Sequence, residues 1–474
     1  MSIIYIIMLS IGGLYMENNI LKDTSKKIHM IGIGGVSMSG IADIITSMGF
    51  VVTGSDMSES ATTDRLEKQG IHVVIGHKAE NVHGADIVVY TAAIKEDNPE
   101  IVEAKRLGIE LIERSSFLGL LTKLYPETIS ISGTHGKTTT TSMLSQIFID
   151  AGKDPTIQVG ADLKILDNQN YRVGKSDYFI VESCEYVRSF LKFFPKTAVV
   201  LNIEADHLDC YKDIDDIKSA FNTFIDIPNE EGLILLNADD KNCMDISKNH
   251  KAKLMTFGIE NEDANWVAKD IKLNKNGGYS FTATSKEEKI EITLNVPGHH
   301  NVYNALASIA VARNYNISAD VIKQALSEFR GASRRFEYVG TVNGANIYDD
   351  YAHHPTEIKA TISSARNMQY NKLWIVFQPH TYTRTYTLFD EFVKAFEEAD
   401  NVIITDIYAA REKDTGLVSS KQLADKVNEF SKNCVYIPTL EKCKDYLLTH
   451  IKNDDIILTV GAGSITKLGR MMLK

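Results

Sequence analysis

The sequence predicts an α/β protein of three domains, and three observations carry that prediction. Short β-branched runs alternate with helical patterns along almost the whole chain, the texture of βαβ units with parallel strands. Two of those runs pass directly into glycine-rich loops that open onto helices. The length, 474 residues, divides into about three domains at roughly 150 residues each.

The start, MSIIYIIMLSIGGLYMENN, is apolar but has no basic residue before its apolar run and no small-residue cleavage site. It is shorter than the ~20 apolar residues a membrane span needs. It reads as an extension over residues 1–21, with a start at Met16 and a weak signal sequence as alternatives. No stable membrane insertion is expected.

A first domain is expected over residues 22–126, with strands at KIHMIGI, VVTGSD, HVVIG and DIVVYT. A new cycle opens at ETISISG near Pro126 and continues through YFIVES, TAVVLNI and GLILLNAD, giving a central domain over residues 127–331. From Asn265 to Leu294 the pattern changes to two-residue alternation around an Asn-Gly-Gly turn, which is antiparallel hairpin chemistry. Past Gly331 the α/β alternation restarts with NIYDDYA, KLWIVFQ, NVIITDI, CVYIP and DIILTVGAG, a C-terminal domain over residues 332–474.

Composition excludes several functions. The chain is 44% hydrophobic and 24% charged, ordinary for a soluble globular protein. Its 62 acidic residues outnumber 51 basic ones, for a net charge of -11, whereas nucleic-acid affinity is driven by Lys and Arg neutralising phosphates. No nucleic-acid partner is expected, and an anionic substrate must be held by local donors. The five cysteines form no CxxC pair, so neither a zinc cage nor a disulfide framework is signalled, and the cytoplasm is the expected compartment.

The strongest local signal is Gly133-Thr134-His135-Gly136-Lys137-Thr138-Thr139, between an apolar strand and a helical run. Glycines let successive N–H groups curl inward, and the helix N-terminus adds its positive end. Lys137 can then reach the β- and γ-phosphates of a nucleotide, and the Thr138 hydroxyl can ligate Mg²⁺. The spacing is the shorter G-x-x-G-K-T-T type, because Ile131 stands where Walker A has glycine. The second loop, Gly32-Ile33-Gly34-Gly35-Val36-Ser37, departs from G-x-G-x-x-G at Ser37, with Asp56 closing the next strand where an acid meets a ribose. Taken alone, it reads equally as a packing turn or as part of an NAD-dependent oxidoreductase. Two such loops together suggest two phosphorylated ligands.

Carboxylates and a histidine close the next two strands of the central cycle. Glu182 and His207 can converge with Thr138 on a hard divalent ion, while Glu185 and Glu204 read equally as solvated loop charge. Asn301 and Asn304 suit a base edge, although a helix cap explains Asn301 as well. Arg335, at the second domain boundary, can reach a γ-phosphate from a hinge. Asp350, Tyr351 and His353 follow one C-terminal strand, and Arg384 follows another.

Together these motifs resemble the Mur ligases of peptidoglycan synthesis. HMIGIGGVSMSGIA, SGTHGKTTTT, NIEADHLD, PGHHNVYNALA, SRRFE, DDYAHHPTEI, FQPHTYTRT and VGAGSI occur in the family's order between about Lys27 and Ile465. The resemblance implies Rossmann-like outer domains around a P-loop ATPase-like centre. It implies a cell-wall ligase that uses ATP and Mg²⁺ (or Mn²⁺) to activate the lactyl carboxylate of UDP-N-acetylmuramate as an acyl phosphate, which L-alanine then attacks. By the same resemblance Gly34, Gly35, Ser37 and Asp56 meet the UDP-sugar, and Gly133 to Thr139 bind ATP. Lys137 neutralises the transferring phosphoryl group, Thr138, Glu182 and His207 bind metal, and Asn301 and Asn304 meet adenine. Arg335 meets the γ-phosphate, Asp350 the ribose, and Tyr351, His353 and Arg384 the amino-acid side. A monomer or weak homo-oligomer is expected.

Several positions depart from the family pattern. Asn222 stands where several sister ligases carry a modified lysine, which disfavours the D-glutamate and diamino-acid branches. Ser37 replaces a common glycine, Cys184 and Val187 replace common acids, and Thr381 replaces an arginine found in some members. A ligase that recycles a whole murein tripeptide is the nearest alternative.

Overall fold

The structure is a computed structural model, and it describes residues 20–91, 93–207, 210–275, 277–410, 412–414 and 416–474. Most of the expected N-terminal extension, residues 1–19, lies outside the described residues. Ile20 and Leu21, read with it, are buried in the core of the first domain. The fold is α/β throughout. The chain forms two compact units, one running to Lys137 and resuming over Gly152–Met255, the other comprising Thr138–Ala151 and Thr256–Lys474.

In the first unit, strands β1 (Lys27–Ile31), β2 (Val51–Asp56), β3 (His72–Ile75), β4 (Ile87–Tyr90) and β5 (Glu110–Glu113) form a parallel sheet in the order β3-β2-β1-β4-β5. Helices cover both faces, so β1 is buried on both sides rather than alternating: Ile28, His29, Met30 and Ile31 are all buried. A second sheet follows, with β6 (Glu127–Ser132), β7 (Thr156–Leu163), β8 (Gln169–Arg172), β9 (Tyr178–Glu182), β10 (Thr197–Val200) and β11 (Leu233–Asn237) in the order β11-β10-β6-β9-β7-β8. β6 lies between β10 on one side and β9 on the other, both parallel to it. Connections leave such a strand in opposite directions, and the crevice beyond its carboxyl end is where α/β sheets hold ligands. The lysine loop occupies that position.

Strand β12 (Lys253–Gly258) carries the chain into the second unit, where Phe257 pairs with Trp266 of β13 (Trp266–Leu273). β13, β14 (Tyr279–Thr284) and β15 (Lys289–Thr293) are antiparallel. The expected turn is Asn276-Gly277-Gly278, whose Asn276 lies outside the described residues; between β13 and β14 the Asn274 N–H donates to the Gly278 carbonyl at 2.9 Å. A last sheet contains β16 (Glu337–Val342), β17 (Ala345–Asp350), β18 (Leu373–Phe377), β19 (Asn401–Ile404), β20 (Cys434–Tyr436) and β21 (Ile456–Val460). Its order is β16-β17-β21-β18-β19-β20, with β16 antiparallel and the rest parallel. This register aligns Asp350 and Phe377 with Val460, so the loops after β17, β18 and β21 share one edge. Among the described residues no helix is long and apolar enough to cross a membrane.

Candidate active site

The lysine loop is fixed before any ligand arrives. Gly133 has φ +135°, and a Cβ there would lie 3.0 Å from both Cβ and N of Leu201, so only glycine lets the loop cross the end of β10. Asn202, just past β10, accepts the His135 N–H on its Oδ1 at 2.7 Å and donates its Nδ2 to the His135 carbonyl at 3.1 Å. The Thr134 N–H donates to the Asn202 carbonyl at 3.0 Å, and the Glu204 N–H to the Thr134 hydroxyl at 2.8 Å. Lys137 turns its ammonium back over the loop to the carbonyls of Gly133 and, at 2.9 Å, Thr134.

Opposite the ammonium stands Glu185, with Oε2 2.9 Å from Lys137 Nζ. Its side chain is only 4% exposed, so it is not a solvated loop charge. Burial pulls the Lys137 pKa down, but the negative field of Glu185, reinforced by Glu182, outweighs it and leaves the pKa raised. The lysine is held charged. Glu182 ends β9 and accepts the Gly160 N–H from neighbouring β7 at 2.6 Å. His207 has φ +54°, donates its N–H to Asp206 Oδ1 at 2.7 Å, and places Nε2 3.6 Å from Glu185 Oε1. Lys137, Glu182, Glu185 and His207 thus gather where β6, β9 and β10 end.

The bond from Lys137 to Thr138 takes the helix Lys137–Asp150 into the second unit. There, Arg335 Nη2 donates to the buried Thr138 hydroxyl at 3.3 Å, while Thr139 beside it is only partly buried. Asn301 and Asn304 are buried and engaged with each other. Thr140 Oγ1 donates to Asn304 Oδ1 at 3.2 Å, Asn304 Nδ2 to Asn301 Oδ1 at 2.9 Å, and Asn301 Nδ2 to the Pro297 carbonyl at 2.7 Å. The N-cap of that helix is His299, so capping does not explain Asn301. The chain of amides ties the helix His300–Asn314 to the helix that follows the lysine loop.

At the shared edge of the last sheet, buried Asp350 accepts the Phe336 and Ala352 N–H groups, each at 2.8 Å. Burial pushes its pKa up to about 6, against the lowering effect of Arg335 and those two donors. The Arg334 and Arg335 guanidiniums lie 4.8 and 5.2 Å from the Tyr351 ring centroid, within cation–π range. Tyr351 meets His353 at 5.3 Å between rings, His353 meets His380 at 5.8 Å, and His380 Nδ1 is 3.3 Å from Arg384 Nη1. Burial, and then the positive charge of Arg384, lower the His380 pKa to about 4. Residues from three separate motifs therefore line one edge.

In the first domain, the N–H groups of Gly32 and Ile33 donate to the Ser55 carbonyl at 2.8 and 3.0 Å. Gly34 donates to Asp56 Oδ2 at 2.9 Å, so the carboxylate expected to meet a ribose also holds the loop. Gly35 is the N-cap of helix Val36–Ser47, and Ser37 lies in that helix's first turn. Sequence reasoning leaves Glu185 evenly balanced between function and solvated charge, and singles out neither Asn202 nor His380 as a site residue. Asn202 and His380 sit inside quoted motifs and Glu185 just past the end of β9, and the strand-end position is the signal that could have found them.

Three family models match the chain: the Mur ligase family catalytic domain over residues 27–126, the Mur ligase middle domain over 131–312, and the Mur ligase glutamate ligase domain over 334–463. The UDP-N-acetylmuramate–L-alanine ligase of Acetivibrio thermocellus is 51% identical over 450 residues, covering 95% of this chain and 96% of that one. Its counterpart in Clostridium novyi is 49% identical over 460 residues, covering 97% and 100%. The crystal structure of a UDP-N-acetylmuramate-alanine ligase from Thermotoga maritima superposes with a TM-score of 0.80 at 29% identity, over 94% of this chain and 98% of that one. A murein peptide ligase from Psychrobacter arcticus gives 0.70 at 25%, over 95% and 98%. With family models spanning every sheet, and half the residues shared with curated relatives from end to end, the chain belongs to the Mur ligase family.

Proposed function

We propose that this chain is a cytoplasmic, ATP-dependent ligase that joins L-alanine to the lactyl carboxylate of UDP-N-acetylmuramate in peptidoglycan precursor synthesis. The relatives sharing about half its residues are named for that pair of substrates. The observation that carries the chemistry is Lys137, held charged at the carboxyl end of β6 with the backbone loop curled around it. A carboxylate oxygen attacks the γ-phosphorus, ADP departs, and the alanine amine then displaces phosphate from the acyl carbon, releasing a proton. Two anions have to meet in the first step, so positive charge must be concentrated there. Lys137 and Arg335 supply it from the protein.

Thr138, Glu182 and His207 offer a hydroxyl, a carboxylate and an imidazole, a donor set that fits a hard cation with oxygen-rich ligation. Mg²⁺ or Mn²⁺ bound there supplies further neutralisation of the phosphates. Residues 22–126 are assigned to the UDP-sugar through Gly34, Gly35, Ser37 and Asp56. Residues 127–331 are assigned to ATP, with Asn301 and Asn304 fixing the helix that flanks the base, and residues 332–474 to the ribose and amino acid. Asp350 faces the ribose, and Tyr351, His353 and Arg384 face alanine.

The test is phosphate release from ATP with UDP-N-acetylmuramate and a panel of free amino acids and murein tripeptide. Release should require UDP-N-acetylmuramate and L-alanine together. Release that is unchanged when either is omitted overturns the assignment, and a requirement for tripeptide redirects it to the recycling branch.

A further inference from the structure

Beside the glycine loop of the first domain lies a polar corner that the reaction chemistry leaves unused. Ser37 Oγ accepts two hydrogen bonds, from Gln158 Nε2 at 2.7 Å and from Arg114 Nη1 at 3.1 Å. Gln158 Nε2 also reaches the Ser37 carbonyl at 3.2 Å, so its amide head is fixed against the first turn of helix Val36–Ser47. A hydroxyl has one donor and two acceptor sites, and with both acceptors engaged the Ser37 O–H is left to donate. Among the described residues no carboxylate pairs with Arg114. Gln158 is 5% exposed, and its Oε1 has no hydrogen-bond partner among the described residues. A buried acceptor left unpaired costs free energy that a ligand donor restores.

Strand β7 relates this corner to the reaction centre. Gln158 and Gly160 are two residues apart on β7 and share a face, and Gly160 holds Glu182. One strand face therefore touches the sugar-nucleotide loop at one residue and the metal-ligating carboxylate at the next. A substrate with its diphosphate at the helix N-terminus and its carboxylate at the lysine loop must lay its sugar along this stretch.

We propose that Ser37, Arg114 and Gln158 form the recognition corner for the sugar nucleotide, a proposal that rests on the function proposed above. Arg114 and the Ser37 hydroxyl donate to phosphate oxygens. Gln158 Oε1 accepts an N–H or O–H of the sugar, and Ser37 fixes the amide that presents it.

The experiment compares equilibrium binding of UDP and of UDP-N-acetylmuramate by calorimetry, with melting temperature and the KM for ATP measured alongside. Gln158→Met, nearly isosteric, should weaken UDP-N-acetylmuramate about fivefold to tenfold, the loss of one hydrogen bond, while leaving UDP binding unchanged. Arg114→Gln should weaken both ligands. Ser37→Ala, which removes only the hydroxyl, should also weaken both. Melting temperature should fall by no more than about 2–6 °C, the scale of one lost hydrogen bond, and KM for ATP should stay at the wild-type value throughout, which separates recognition from mere support of the fold. If Gln158→Met weakens both ligands equally, or neither, the assignment of Gln158 to the sugar is wrong. Wild-type protein that binds neither ligand refutes the underlying function instead.

Discussion

Replacing Glu185 by glutamine keeps the shape of the side chain and removes its charge, isolating the pair on which the lysine depends. At 2.9 Å and an effective dielectric of about 20, unit charges attract by roughly 6 kcal/mol. The net cost of deleting one partner of a buried pair is smaller, about 3–5 kcal/mol, because desolvation offsets part of the attraction. The substituted amide would still offer a neutral acceptor, and the ammonium keeps the carbonyls of Gly133 and Thr134, so the lower end, about 3 kcal/mol, is expected. In a cooperative unit of roughly 150–250 residues, each kcal/mol is worth about 2–4 °C, so the melting temperature should fall by about 6–12 °C. The assay is thermal unfolding by circular dichroism with and without ATP and Mg²⁺. Nucleotide should raise the variant's melting temperature by more than it raises the wild type's, because triphosphate gives the lysine a new anionic partner. A variant that melts with the wild type in the absence of nucleotide would refute the reasoning.

Lys137→Gln should cut turnover by at least about 10²–10³-fold, the scale for losing one preorganised charge at a reacting oxyanion, in the phosphate-release assay. Gly133→Ala should destabilise the loop by about 1–3 kcal/mol and abolish ATP binding, because its φ of +135° and the 3.0 Å approach of Leu201 leave no room for a methyl; denaturant melts and nucleotide titration would register both. Two groups in the last domain titrate against each other. Asp350, with its folded pKa raised to about 6, makes the protein less stable as pH climbs from about 4 to 6, by roughly 3 kcal/mol. His380, lowered to about 4, makes it less stable as pH falls through the same window, because the unfolded chain takes up the proton first. Asp350→Asn should therefore expose a stability that drops with acid, and urea melts at pH 4 to 6.5 that match the wild type would count against it.

The sequence by itself determined most of the strands, their alternation with helices, the three α/β blocks and the glycine loops, because period-two and period-3.6 patterns and glycine turns are local properties, whereas β5, β7, β8, β12 and β16 are not read from it. It also placed Lys137, Glu182, His207 and Asp350 at strand ends, where chemistry in such folds is concentrated. Only the tertiary structure decided what each of them faces. Glu185 reads equally as a solvated charge until β9 is placed beside β6, which buries its carboxylate against Lys137. Asn301 reads as a cap as readily as a base contact until helix packing sets Thr140 against Asn304, whose amide in turn bonds Asn301. Gln158 carries no signal at all, since it lies in an unremarkable strand whose partner, Ser37, is 121 residues away in sequence. Strand order and interhelical packing set the surroundings of a side chain through contacts between distant segments, and no local periodicity encodes them.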